Sequence, residues 1–326
     1  PFLTALGDHP AYFLDRHVAR GPGFASMYVF HEHLEVANAW MNPRPLAGML
    51  PPFPRDVVDL KDMDFNAKKS GKIFFFKNGN DPDALLRYWE TLPVPMAGWL
   101  RDLAHSIDIF QVGRGLPPLH VLVEQYLRDR QYQDGSAGWV LPHMVAQLDD
   151  YARRCKSTLM ANALLDLPVQ IFGDNWDHVD FTGRRATHFP GQSYFSTRSL
   201  INEALAVIDM SPNTESAPHE RFMGAMGRFT LALNNTQRYL LDNFPEAQRM
   251  LFDFEPASVR DKVSEVLADP GGYVDYGVAV GEHGRKIHPP AQVIERVVEL
   301  ANLTRFTARR AHAGQQEFIV RPALPG

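Results

Sequence analysis

The chain has 326 residues, 45% of them apolar, which is enough for two medium-sized cores, so two domains are expected. Its formal net charge of −5 comes without any concentrated Lys/Arg run, which argues against nucleic acid as a main partner. A single cysteine, Cys155, can make neither an intrachain disulfide nor a zinc site, so a reducing, cytoplasmic compartment is expected.

In chain order, Phe2 to Leu6 reads as a strand that stops at Gly7-Asp8-His9-Pro10. A carboxylate beside an imidazole at a strand end is a candidate proton-transfer pair; alternatively Asp8 caps the helix that Pro10 begins. The chain opens at Pro1 directly on this apolar run, which reads as the tail of a strand whose earlier partners are expected to lie outside the sequence. His31-Glu32-His33 with Glu35 would place two imidazoles on one side if extended, but lacks a third ligand, so a loop leading into a helix from Leu34 to Trp40 is expected and no metal site. Pro43 to Pro54 is rich in Pro and Gly and is expected to be irregular, a passage between domains.

Lys72 to Lys77 is the longest apolar run, strand-sized and far short of a membrane span, with Asn78-Gly79-Asn80-Asp81-Pro82 as its exit turn. From 82 to 165 the apolar period turns helical, giving about four helices broken at Pro93, Pro95, Pro117-Pro118 and Gly135. Arg153, Arg154 and Lys156 there are expected on a solvated face. Leu167 to Phe172 is the next strand; its exit brings Gly173, which permits close backbone approach, and Trp176, which could stack on a ring. A short strand at 187–189, a helix at 194–203 capped by Ser193 or Ser196, and a strand at 205–210 follow.

The polar loop from Asn213 to Pro218 then leads to a short helix opened by His219, Glu220 and Arg221, and Phe229 to Leu233 is a further strand ending at Asn234-Asn235-Thr236. Unpaired N–H groups at such a helix start favour an anion, and a guanidinium there can grip a phosphate; alternatively Arg221 pairs with Glu215 or Glu220. An amphipathic segment at 237–244, a strand at 250–254, a helix at 257–267 stopped by Asp269-Pro270-Gly271-Gly272, and a long helix at 290–306 complete the pattern, with 318–322 as a last strand or tail. Strand, helix, strand recurring at this spacing is the sign of a parallel sheet, whose ligands lie beyond the carboxyl ends of the strands. No Gly-x-Gly-x-x-Gly or P-loop pattern occurs.

The segment HERFMGAMGRFTLALNNTQRYLLDNFPEAQRMLFDFEPASVRDKVSEVLADP resembles the C-terminal domain of GT-B glycosyltransferases, in particular the spore-maturation group, and the resemblance extends over 167–305. It implies an α/β, GT-B-like fold: a partial Rossmann-like acceptor-side domain with its linker at 1–69, a doubly wound parallel-sheet domain at 70–310 with the helical insertion at 82–165, and a tail at 311–326. The implied activity is transfer of a sugar from a nucleotide-activated donor to a glycan, protein or small-molecule acceptor, with no cofactor and no metal.

The resemblance puts His219 and Arg221 on the diphosphate, Asn213 and Glu215 near the sugar, Gly173, Asp174 and Trp176 near the nucleotide, and Asn235 and Thr236 on the same rim. The Asp8-His9-Pro10 phrase is similar to the acceptor side of the same group, which makes His9 the expected base with Asp8 beside it. One departure matters: Gly224 stands where the group has a glutamate, so the ribose-holding carboxylate is missing or supplied by Glu220 or Glu215. A non-catalytic relative that binds a sugar nucleotide or a protein partner is the alternative. On the diphosphate reading, Arg221→Ala should weaken nucleotide binding and leave the melting temperature nearly unchanged.

Overall fold

The structure, a computed structural model, describes residues 2–14, 21, 23–41, 46–54, 56–132 and 138–312. The chain divides into two units, residues 1–51 with 290–326, and residues 52–289.

The first unit holds a parallel three-stranded sheet, β1 (Phe2–Leu6), β2 (Phe24–Tyr28) and β3 (Leu46–Met49), in that order, with helix α1 (His31–Trp40) between β2 and β3. Two expectations change here. β3 lies inside the stretch expected to be irregular: Leu46, Ala47, Gly48 and Met49 pair in register with Ala25 to Tyr28, so the ladder supplies the order that a Pro- and Gly-flanked segment lacks by itself. His31, Glu32 and His33 are the first turn of α1, not a loop or strand, and His31 pairs with Glu35 one turn on.

The second unit is a six-stranded, all-parallel sheet in the order β6-β5-β4-β7-β8-β9, formed by β4 (Ile73–Phe76), β5 (Val169–Phe172), β6 (Thr187–Phe189), β7 (Ala206–Asp209), β8 (Leu231–Asn235) and β9 (Leu251–Phe252). Its central strands are nearly all apolar because both faces are covered: IFFF of β4 and AVID of β7 are buried at every position, Asp209 at the end of β7 being the exception in kind. Phe76, Phe172 and Phe189 stand in register across three strands and stack at 5.2 and 4.9 Å between ring centres, which locks β4, β5 and β6 together. Full burial of one such side chain contributes about 1.5–3 kcal/mol.

Between β4 and β5 run a short lead and four helices, α3 (Pro82–Trp89), α4 (Val94–Ser106), α5 (Leu119–Asp129) and α6 (Val140–Leu164); α2 (Phe65–Lys69) precedes β4. After β6 come α7 (Tyr194–Glu203), capped by Ser193, and, between β7 and β8, α8 (Glu220–Met226). The chain goes from β4 outward to β5 and β6, then returns to the other side of β4 for β7, β8 and β9, so the direction of strand addition reverses between β4 and β7. A crevice at the carboxyl ends of two such strands is the place where this architecture binds ligands.

Beyond β8 lie α9 (Arg238–Asn243), α10 (Pro256–Ala268) and α11 (Pro270–Ile287). The Asp269-Pro270-Gly271-Gly272 phrase ends one helix and starts another: Asp269 caps α11 by accepting from the Gly272 N–H at 2.9 Å, and Pro270 occupies its first turn. The final helix, α12 (Pro290–His312), packs on β1, β2 and β3 of the first unit, burying Leu300 and Thr304. The expected strand or tail at 318–322 lies outside the described residues. No helix among the described residues is long and apolar enough to cross a membrane.

Candidate functional site

The last residue of β7 is Asp209, fully buried, and three donors converge on it. Arg221 Nη1 lies 2.7 Å and His219 Nδ1 3.0 Å from its Oδ1, while the Phe222 N–H donates to Oδ2 at 3.1 Å. Burial by itself would raise this carboxyl, but His219 and Arg221 outweigh it and hold Asp209 well below the usual carboxylate range. The anion gripped by the start of α8 is therefore the chain's own carboxylate. The donors that the resemblance puts on a diphosphate are in this structure turned to Asp209, which is the acidic partner of Arg221.

His219 Nδ1 also lies 3.4 Å from the Arg221 N–H, but a carboxylate acceptor at 3.0 Å requires the proton on Nδ1. The lone pair of that ring is then on Nε2, and the side chain is about a quarter exposed, at 24%. In contrast His9 is buried, and its Nδ1 accepts the Ala11 N–H at 3.1 Å, so the ring's one lone pair is spent on capping the Pro10–Tyr12 turn. His9, rather than Asp8, is the cap, and in this state it has no lone pair with which to act as the expected base. Asp8 beside it is exposed.

At the carboxyl end of β4, facing Asp209 across the reversal point, stands Lys77. Its backbone is clamped: its N–H donates to Phe172 O at 2.8 Å, and its carbonyl accepts the Trp176 indole N–H at 2.9 Å. Gly173 lies so near that carbonyl that a Cβ there would sit 2.0 Å from it, which is why no other residue fits. Trp176 is buried against Gly79 and stacks on His178. Its ring is part of the core under the rim and is not presented to a base or sugar. Asp174 is exposed, with its Oδ1 accepting from the Gly191 N–H at 2.9 Å. Burial first, then Arg153 and Arg221, lower the Lys77 ammonium to about 8, against the opposing pull of Asp209 and Asp149.

Arg153 and Asp149, one turn apart on α6, pair at 3.0 Å, and Asp149 is buried. Lys156 of the same helix is buried too, contrary to the solvated face expected, and donates to Val112 O and Asn213 Oδ1 at 2.6 and 2.7 Å. Asn213, in a left-handed conformation with φ 54°, also donates to Asp149 Oδ1 at 2.9 Å. Glu215, expected near the sugar, and Asn235 and Thr236, expected on the same rim, are also hydrogen-bonded. Glu215 accepts from Gly115 N–H at 2.7 Å, Asn235 accepts from Ser211 N–H at 2.8 Å, and Thr236 donates to Asp253, which also pairs with Arg114 at 2.5 Å. These bonds fasten the 108–116 loop of the helical insertion over the ends of β8 and β9. Asn213, Glu215, Asn235 and Thr236 thus help to build the rim.

Neither a protein-family model nor a curated protein matches this chain. Among solved structures, the chain is similar to a sucrose-phosphate synthase from Thermosynechococcus elongatus, at 11% identity and a TM-score of 0.39 over 89% of its length. The chain spans 59% of the length of that structure.

Glu220 is exposed at the start of α8, and Gly224 follows one turn after it with open space where a side chain would begin. No three His, Cys, Asp or Glu side chains group as metal ligands among the described residues. Lys77, Asp209 and Asp149 are the residues sequence reasoning passed over. For Lys77 a signal existed: an ionisable residue directly after a wholly apolar strand and before an Asn-Gly turn marks a strand's carboxyl end.

Proposed function

We propose that residues 52–289 form the donor-binding unit of a GT-B-like glycosyltransferase that takes a nucleotide-activated sugar at the β4/β7 crevice and transfers the sugar without a divalent ion. The observation that carries this reading is the reversal point itself: Lys77 ends β4, Asp209 ends β7, and Arg153, His219 and Arg221 stand around them. The Lys77 ammonium among these paired charges suits the diphosphate of an activated sugar, and the resemblance of 167–305 to GT-B C-terminal domains points the same way. His219 replaces His9 as the proton carrier, because its Nδ1–H is held on Asp209 and Nε2 is left as the acceptor, the arrangement that orients a general base.

A second reading, a protein that binds a sugar nucleotide without transferring it, is favoured by Gly224, which leaves open space on the helix face that carries Arg221. A thermal-shift panel of sugar nucleotides tests both. A cognate donor at a hundred times its dissociation constant should stabilise the folded state by about 2.7 kcal/mol. Slow donor hydrolysis without acceptor, lost in His219→Gln, is expected of the transferase; binding with no hydrolysis supports the second reading, and no shift with any sugar nucleotide removes both.

A further inference from the structure

Each arginine of the crevice is already matched. Arg221 is committed to Asp209 at 2.7 Å and Arg153 to Asp149 at 3.0 Å, and both carboxylates are buried. Lys77 Nζ, by contrast, makes no hydrogen bond or ion pair with any described residue. The two pairs cancel, so the net positive charge of this group of five resides on Lys77.

We propose that Lys77 Nζ is the seat of a ligand's phosphate group, with the Arg153–Asp149 and Arg221–Asp209 pairs as positioning residues that shape the seat without supplying its charge. The seat deepens the transferase reading and rests on it only for the identity of the phosphate's owner.

Three observations support it. Lys77 is partly exposed as a residue at the carboxyl end of β4, at the point where strand order reverses, the place where this architecture binds ligands. Its backbone is held on both sides, by Phe172 O and by the Trp176 indole, with Gly173 and Gly79 making room for that packing. Gly173 and Trp176, expected at the nucleotide, therefore act one layer back, fixing the residue that would touch it. Finally, a lysine desolvated without a partner is costly to the fold, and such a group in a cleft is characteristic of a binding position. The groups that face it are Arg153 and Asp149 from α6, Arg221 from α8 and Asp209 from β7.

Anion binding selects the charged form. With the ammonium at about 8, affinity should fall about tenfold between pH 7 and pH 9 beyond any change due to the ligand's own ionisation. Arginine does not titrate in this range, so Lys77→Arg keeps the charge and reports the ligand's ionisation alone.

The experiment is calorimetric titration with inorganic pyrophosphate and with a panel of nucleoside diphosphates, at pH 7, 8 and 9, on wild type, Lys77→Met and Lys77→Arg. Expected are a 10- to 100-fold loss of affinity in Lys77→Met, and binding by Lys77→Arg without the extra tenfold fall. Equal binding by wild type and Lys77→Met, an unchanged pH step in Lys77→Arg, or no binding of any probe overturns the seat. Nucleotide binding indifferent to Lys77 leaves the transferase reading standing without the seat. Lysine-dependent pyrophosphate binding with no response to any sugar nucleotide leaves the seat without the transferase.

Discussion

Arg221 shows how far a residue's place can be legible when its partner is not. That an arginine opens the helix after β7 follows from the polar loop and the helical spacing of Phe222, Met223 and Met226. What it binds depends on Asp209, which the sequence presents only as the end of an apolar run; nothing local says that this carboxylate turns toward the helix start. With the partner known, the expected consequence of mutation reverses. Arg221→Ala leaves a fully buried carboxylate held by His219 and one N–H, and should destabilise by about 1–3 kcal/mol rather than leave the melting temperature unchanged. Asp209→Asn removes the charge that the Arg221 guanidinium and the His219 Nδ1–H meet and should destabilise by about 3–5 kcal/mol. Urea midpoints measure both; an Arg221→Ala protein as stable as wild type would return the guanidinium to the role of a ligand clamp. His219 and His9 make the complementary point, since which of two histidines has a lone pair to offer depends on the hydrogen bond at the other ring nitrogen.

Among the elements, those bounded by turn signals and carrying one clear period were legible: β4, β5 and β7, and the four helices between β4 and β5. β2 and α2 were not read from the sequence, and β3 and α11 were not for reasons of packing. β3 is ordered by its ladder to β2 and carries no alternating pattern of its own. α11 was hidden by Gly271, Gly272, Gly277, Gly281 and Gly284, which read as breakers. In place, the last three form one stripe: a Cβ at Gly277 would lie 3.0 Å from Leu231 N, at Gly281 2.6 Å from Phe229 Cδ1, and at Gly284 1.9 Å from Met226 Sδ. The glycines let α11 approach β8 and α8 closely, at the expense of helix propensity. Ala gains about 1 kcal/mol of propensity over Gly, while overpacking costs about 1–3 kcal/mol. The Phe229 ring cannot swing aside easily, since it lies in a left-handed turn under the Arg285 guanidinium, 4.0 Å away. Gly281→Ala should therefore destabilise by about 1–2 kcal/mol, and Gly284→Ala by less because Met226 is flexible. Gly98→Ala, on α4 with open space around it, should stabilise by about 0.5–1 kcal/mol. Thermal denaturation of the three variants orders them; a stabilised Gly281→Ala would mean that the stripe is not a packing device.

Across the whole second unit, the buried lysines set a pH profile that no single element does. Burial, with Arg228 near Lys68, lowers Lys68 and Lys156 from the ordinary 10.5 to about 7 and Lys77 to about 8. Because these folded values lie below the unfolded one, the unfolded chain holds more protons between about pH 7 and 10.5, and stability must rise with pH through that window. Three protons correspond to a slope of at most about 4 kcal/mol per pH unit near pH 9, reduced because Lys77 is partly exposed. Tyr126, Tyr151, Tyr273 and Tyr276 act in the opposite sense, since burial pushes each up to about 12. Their contribution is complete below the unfolded value of about 10 and is lost as pH rises toward 12. Asp209, held low, adds stability that is present above the ordinary aspartate range and is lost in acid. These terms together place the maximum near pH 9–10, above the range in which most domains are stablest. Urea midpoints at unit intervals from pH 6 to 11 should rise to that maximum and then fall. Lys68→Met should flatten the rising limb, because its ammonium, held by Ile201 O and Thr230 Oγ1, is one of the three that discharge on folding in that window. A wild-type midpoint that stays level or declines from pH 7 to 9 would mean that the three lysines remain fully charged in the fold. Lys77 would then lose the titration on which its proposed coupling to phosphate depends.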